Sequence, residues 1–382
     1  TLELRFKGIV QRACEKTGER VVILVDEYDK PMLQAIGNPE LQENFRNTLK
    51  AFYSVLKTQD RYIKLAFLTG VTKFGKVSVF SDLNNLEDIS MNESYVSLCG
   101  ITEQELHDYF DEDVAALGEK NGMSKEECYD KLKEMYDGYH FRRNCIGLYN
   151  PFSLLNALAK REFSNYWFET GTPSFLVELL KQSNYDLNNL QEEQQSSDML
   201  NSIDSMAKDP IPVIYQSGYL TIKGYNKEFG WYNLGFPNKE VEEGFVKYLL
   251  PSYVPVEEKK TEFFIGNFIN DIERGRPEAF MERMQTMFAD TDYRVAGKME
   301  LYFQNAMYLV FKMMGFYTEV ERSTSRGRMD VLIKTKDYIY VMELKLDGSA
   351  EEALHQIEEK GYALPFAKDP RKLFKIVVNF SS

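Results

Sequence analysis

The sequence predicts an α/β protein of more than one domain, and three observations lead there. Two continuous apolar runs near the start, "RVVILVDEYDKP" and "IKLAFLTG", have strand length, as in parallel sheets covered on both faces. The last part reads in the order α-β-β-β-α-β. At 382 residues the chain is long enough for two or three domains. The expected division is an α/β domain over 1–135, a helical middle with a hairpin over 136–291, and a mixed domain over 292–382.

Each element follows from a local pattern. Residues 39–58 place Leu41, Phe45, Leu49, Phe52 and Leu56 at helical spacing between the two apolar runs, a strand–helix–strand unit. "ITEQELHDYF" has Thr102 as N-cap with Glu105 three residues on, so a helix starts there. "NPFSLLNALAK" puts Pro151 in a first helical turn. Polar "NNLQEEQQSSD" reads as a surface loop or an exposed helix edge. "YLTIKGYNKEFGWYNLGF" reads as two strands around a Gly/Asn turn, and "NKEVEEGFVKYLL" returns to helix. Helices flanking a hairpin suggest a winged-helix-like middle. "GKMELYFQNAMYLVFKMMG" is an apolar helix with Gly315 at its C-cap. Then come strands "FYTEVERSTS", "RMDVLIKT" and "YIYVMELKL", a helix "SAEEALHQIEEKGYALPF" and a last strand "KLFKIVVNF".

Composition excludes several classes. A net charge of −13 argues against a protein coated all round for nucleic acid. From Gly297 onward thirteen Lys+Arg face twelve Asp+Glu, a net of +1, so the preceding part carries −14. That near-neutral end contains "RSTSRGR", whose Arg322, Arg326 and Arg328 could touch phosphate or form a solvated loop. Cys14, Cys99, Cys128 and Cys145 lack CxxC spacing and only three histidines occur, which speaks against zinc and for reduced thiols in a cytoplasm. No apolar run is long enough for a bilayer, so no membrane partner is expected.

The strand "YIYVMELKL" carries two charges two residues apart. Side chains alternate along a strand, so Glu343 and Lys345 share a face. Burying them unpartnered would be costly. Asp330 lies thirteen residues earlier on "RMDVLIKT", with "KTKD" as a tight turn between, so a hairpin can set it beside Glu343. Crowded carboxylates repel, and a divalent cation relieves that repulsion. Mg²⁺ favours a few carboxylates, a carbonyl and waters. The plain alternative is a set of surface ion pairs at strand ends.

Asp330 followed by Glu343-x-Lys345 in this strand order resembles the PD-(D/E)xK nuclease superfamily, although Met329 stands where the name has proline. The resemblance implies a restriction-endonuclease-like fold and a Mg²⁺ or Mn²⁺ ion held by Asp330, Glu343 and the Leu344 carbonyl. It implies that Lys345 activates water or offsets charge. Glu300 in the first helix and Gln356 in the later one fit accessory positions, with Tyr362 on the side of Gln356.

The run "VVILVDEYDK" has the look of a Walker B strand, with Asp26 and Glu27 placed to hold Mg²⁺ and polarise water. An acidic strand-to-helix turn is the plain reading. The one near match to a phosphate loop, "GVTKFGKV", has Val77 in place of the hydroxyl and follows the Walker-B-like strand. It is rejected. Together with "LAFLTGVTKFGKVSVFSDLNNLEDIS", "YDGYHF", "LYNPFSLLNAL" and "GYLTIKGY", the motif resembles bacterial AAA-ATPase-like proteins fused to a C-terminal PD-(D/E)xK domain (DUF1703-type) over nearly the whole chain. The resemblance implies a partial P-loop-NTPase-like sheet with Thr69 near a sensor-1 position. It implies a Walker A loop that this chain starts after, so the chain is a truncated form, a fragment or a member without the loop. Lys73 and Lys76 could face phosphate or lie in a solvated turn. Tyr136, Tyr139, His140 and Phe141 read as packing aromatics.

The expected function is metal-dependent hydrolysis of nucleic-acid phosphodiesters, coupled to an ATPase-like regulatory part. The alternative is a non-catalytic nucleotide-sensing or partner-binding switch on a degenerate nuclease fold. ATP would bind only with the upstream segment present, and ATP hydrolysis by this chain alone ranks last. Self-association or a protein partner would use the acidic N-terminal part.

Overall fold

The computed structural model describes residues 1–35, 38–71, 80, 83–169, 174–191, 193–200, 209–289, 299–325, 328–346, 364–366 and 368–380. They divide into two compact units, residues 1–185 with 191–241, and residues 186–190 with 242–382. Among the described residues no helix is long and apolar enough to cross a membrane.

In the first unit, strands β1 (Val21–Val25) and β2 (Ile63–Leu68) pair in parallel, as the strand–helix–strand reading expects. The intervening helix is Pro39–Tyr53, capped by Asn38, whose side chain accepts the Leu41 amide. It breaks at Ser54 and resumes as a short turn, Val55–Thr58, instead of running to 58 unbroken. Ser54 Oγ donates to the Ala51 carbonyl, a local bond that competes with continued helix. The Leu2–Thr17 helix covers this layer by stacking Phe6 on Phe52 at 4.5 Å, above Val10, Ile23, Tyr53, Leu56 and Ile63.

The helix Glu103–Lys120 opens with the expected capping box of Thr102 and Glu105. Helices Lys125–Tyr136 and Pro151–Lys160 join it around Leu106, Val114, Leu132 and Leu154. The polar stretch after 190 departs from the loop reading. Residues Gln194–Ser196 form strand β3, which pairs with β5 (Trp231–Gly235), itself paired with β4 (Thr221–Asn226). β3 is an edge strand held through its backbone, so its side chains carry no apolar signal. The expected hairpin and the following helix, Lys239–Tyr253, both form.

In the second unit, strands β6 (Glu319–Ser325), β7 (Arg328–Lys334), β8 (Tyr338–Leu346) and β9 (Lys372–Phe380) make one sheet in that order. The first three are antiparallel and β9 runs parallel to β8. Parallel neighbours need a crossover. The helix expected there, with Gln356 and Tyr362, falls on residues 347–363, outside the described ones. Helices Thr261–Glu273, Pro277–Ala289 and Met299–Gly315 complete the unit. Gly315 is the last helical residue of its segment. Buried Tyr340 ties β8 to the first of these helices, its hydroxyl donating to the Ile272 carbonyl at 2.5 Å while its ring stacks on Phe374.

Gly138, in the "YDGYHF" stretch, is a backbone requirement of the first unit. Its φ is 103°, and a Cβ there would lie 2.2 Å from the Pro237 carbonyl oxygen, which already accepts the Lys223 ammonium. Gly18 has φ 74° but open space around it. Gly138→Ala is therefore expected to cost about 2–3 kcal/mol and Gly18→Ala about 1 kcal/mol. Urea denaturation checks this, and equal losses at both sites would contradict the close-approach argument.

Candidate functional site

The register of the second unit's sheet sets the positions of the C-terminal charged residues side by side. Asp330 pairs directly with Glu343, and Arg328 with Lys345. Residues directly opposite in a ladder share a face. Extended across the sheet, Ser323, Asp330, Glu343 and Val377 form one row, and Ser325, Arg328, Lys345 and Asn379 the next. The carboxylate positions and the lysine position thus lie on one face, within two rows. Arg322 pairs with Val331 and so holds the opposite parity. Glu300 sits in the first turn of the Met299–Gly315 helix. Arg326 and Gln356 lie outside the described residues.

Glu343 is 1 % exposed, in a strand where Tyr340 and Met342 are equally covered. A surface ion pair at a solvated strand end would not look like this. A carboxylate inside an apolar strand is costly unless its environment compensates the charge. The donor set suits a hard cation: two carboxylate positions in one row, the Leu344 carbonyl in the same strand, and no histidine or cysteine among them. Among the described residues no group of three or more Cys, His, Asp or Glu side chains is gathered for a metal. An ion here would rest on two carboxylates with a carbonyl and water, the mode of Mg²⁺ and Mn²⁺.

The first unit joins the other predicted residues. Parallel pairing of β1 with β2 sets Val25 beside Leu68, so the next residues of each strand meet. Thr69 Oγ1 donates to Asp26 Oδ1 at 2.7 Å, and the Glu27 amide donates to the same oxygen at 2.9 Å. Glu27 holds a left-handed φ of 51° and pairs with Lys30 at 2.6 Å. Lys73 and Lys76 lie outside the described residues. Sequence reasoning passed over Asp29. It is buried, and its Oδ1 accepts the Val71 amide at 3.1 Å. A Cβ on Gly70 would meet that oxygen at 2.5 Å, so Gly70 is what lets β2's exit close on Asp29. The signal was the third acid in "DEYDK", masked by the Walker-B-like pair before it.

The register also sets Ser323 and Asn379 in these two rows. Ser323 follows from counting back across the turn from Asp330. Asn379 does not, because a parallel partner's register depends on its crossover. If the row binds a cation, millimolar Mg²⁺ or Mn²⁺ should raise the melting temperature, by about 2.7 kcal/mol of stability at a hundred times Kd. Glu343→Gln should abolish the rise. A metal-induced shift that survives Glu343→Gln would place the ion elsewhere.

Comparison with known proteins agrees with both halves of this description. The family model described as a predicted AAA-ATPase matches residues 1–80, and that of the PD-(D/E)XK nuclease superfamily matches residues 298–382. An uncharacterized protein in the vnfD 5' region of Azotobacter chroococcum mcd 1 is 34% identical over 388 residues, covering 99% of this chain and 72% of that protein. No solved structure matches the chain significantly. The β6–β9 sheet is accordingly a restriction-endonuclease-like fold, and the chain belongs to the family of AAA-ATPase-like proteins that carry a C-terminal PD-(D/E)XK nuclease superfamily domain.

Proposed function

We propose that this protein is a metal-dependent nuclease that hydrolyses nucleic-acid phosphodiester bonds under the control of its ATPase-like part. The observation that supports this most is the direct pairing of Asp330 with Glu343, one row from Lys345, on a sheet in which Glu343 is buried. Asp330, Glu343 and the Leu344 carbonyl would hold Mg²⁺ or Mn²⁺. When bound, the ion would supply Lewis-acid stabilisation of the developing phosphoryl charge. Lys345 orients the attacking water, takes its proton or offsets charge on the transition state. Glu300, from the first turn of its helix, and Gln356 would assist. Arg328, in the row of Lys345, and Arg326 are assigned to the backbone phosphates, with Arg322 contributing from the other parity of β6.

The reading extends to the first unit. Asp26, Glu27 and Thr69 would sense the nucleotide. The free state of all four cysteines fits a reducing compartment, and we assign the protein to the cytoplasm. One observation favours a second reading. Glu27, which would polarise water in an ATPase, is engaged by Lys30. A partner-binding or nucleotide-sensing switch needs no such water.

The test is cleavage of labelled single- and double-stranded DNA and RNA with Mg²⁺ or Mn²⁺. The wild type should cut, and Lys345→Ala should lose about 100-fold or more of the rate, as expected when a transition-state charge partner is removed. Equal cutting by both proteins would sink the assignment of Lys345. Metal binding without cutting by either would favour the switch.

A further inference from the structure

Neither site described above uses a pocket of about 780 Å³ in the first unit, between the turn at 142–146 and the β4–β5 hairpin. Arg142, Arg143 and Lys227 line it, with Glu93 as the one carboxylate among the described lining residues. Glu93 is ion-paired to Arg142, which leaves Arg143 and Lys227 as the surplus charge. The Arg143 guanidinium lies 4.7 Å above the Tyr225 ring, which packs on Tyr232 at 4.9 Å. Asn144 turns the chain with a left-handed φ of 57°, and the Cys145 thiol donates to the Arg142 carbonyl at 2.9 Å. Arg143 and Lys227 are exposed at the rim, and Ile146 is 56% exposed.

A solvated basic loop would scatter its arginines. Here one is pinned by a carboxylate and another is laid on an aromatic face, both facing one concavity, in a protein of net charge −13. A guanidinium stacked on tyrosine offers a flat platform for a base, while its N–H groups and a neighbouring lysine offer charge to a phosphate. A base in a duplex is stacked on both sides and cannot enter such a concavity, whereas a single strand splays its bases. We propose that this pocket seats a nucleoside phosphate unit of a single-stranded nucleic acid. The base stacks on the Arg143–Tyr225 pair, and the phosphates lie against Arg142, Arg143 and Lys227. The site stands apart from the nuclease reading, because strand binding here needs neither metal nor cleavage.

The experiment uses the full chain with Glu343→Gln, in EDTA, so that cutting plays no part. Binding of a fluorescein-labelled single-stranded oligonucleotide of about 12 nucleotides is followed by anisotropy over a salt series. Adding Arg143→Glu and Lys227→Glu should weaken binding at least about tenfold and flatten the log Kd against log salt slope by about 1.4, two phosphate contacts' worth. In a second measurement, on the chain without those two changes, maleimide labelling is mapped by mass spectrometry. The oligonucleotide should slow labelling of Cys145 and leave exposed Cys99 unchanged. Unaltered Kd in the double variant, or unprotected Cys145 on an oligonucleotide-saturated protein, would overturn the proposal. Protection by AMP or inorganic phosphate but not by the strand would also overturn it, in favour of a free-nucleotide or anion site.

Discussion

The antiparallel ladder between β7 and β8 fixes which charged positions lie opposite one another in the second unit. Because side chains alternate with a period of two, a slip of one residue would send Glu343 and Lys345 to the face of Tyr340 and Met342. The ladder resists that slip. Its turn is closed by Thr335, whose amide and hydroxyl both reach the Tyr338 carbonyl, at 2.9 and 3.2 Å. On one parity Tyr340 is anchored through its hydroxyl to Ile272. On the other, Lys334 pairs with Glu319 of β6 at 2.6 Å, holding the third strand in step. Apolar burial on one parity therefore sets the position of the carboxylates on the other. The placement of these positions is a consequence of how the sheet is held.

The same logic governs the first unit in a parallel setting. Pairing β1 with β2 makes the two strand ends coincide, and Thr69 then binds Asp26 through the side chains while the backbone closes from Tyr28 to the Thr69 carbonyl at 3.0 Å. Buried Asp29 and the absence of a side chain on Gly70 complete the closure. An acidic strand end of this kind is preorganised, since each hydrogen bond fixes a group before any ligand arrives. Glu27 differs from Asp26 and Asp29 in its partner: it is held by the ammonium of Lys30 and not by the end of β2.

How much of this could be read from the sequence depends on the range of the interaction. The Asp330–Glu343 pairing was legible because a short turn separates two alternating strands, and the count across it fixes the register. The helix over Pro39–Tyr53 was legible from its apolar period, and the capping box of Thr102 and Glu105 from its spacing. Strand β3 was not legible, because Gln194–Ser196 pairs through the backbone at a sheet edge and needs no apolar side chains. The Ser54 break hid inside a continuous apolar period. Asn379 joined the row of Lys345 only through a parallel pairing whose register no local count supplies. The role of Asp29 depends on Val71, forty-two residues away.

The central claim is that Asp330 and Glu343 act as one cation site. Direct binding of Mn²⁺, followed by the loss of its free-ion EPR signal, tests this most simply on the wild type, Asp330→Asn and Glu343→Gln, each shown folded by circular dichroism. The account predicts one tight ion per chain, weakened by at least about tenfold by either substitution, as expected for losing one of few ligands. Unchanged stoichiometry and affinity in both variants would contradict it.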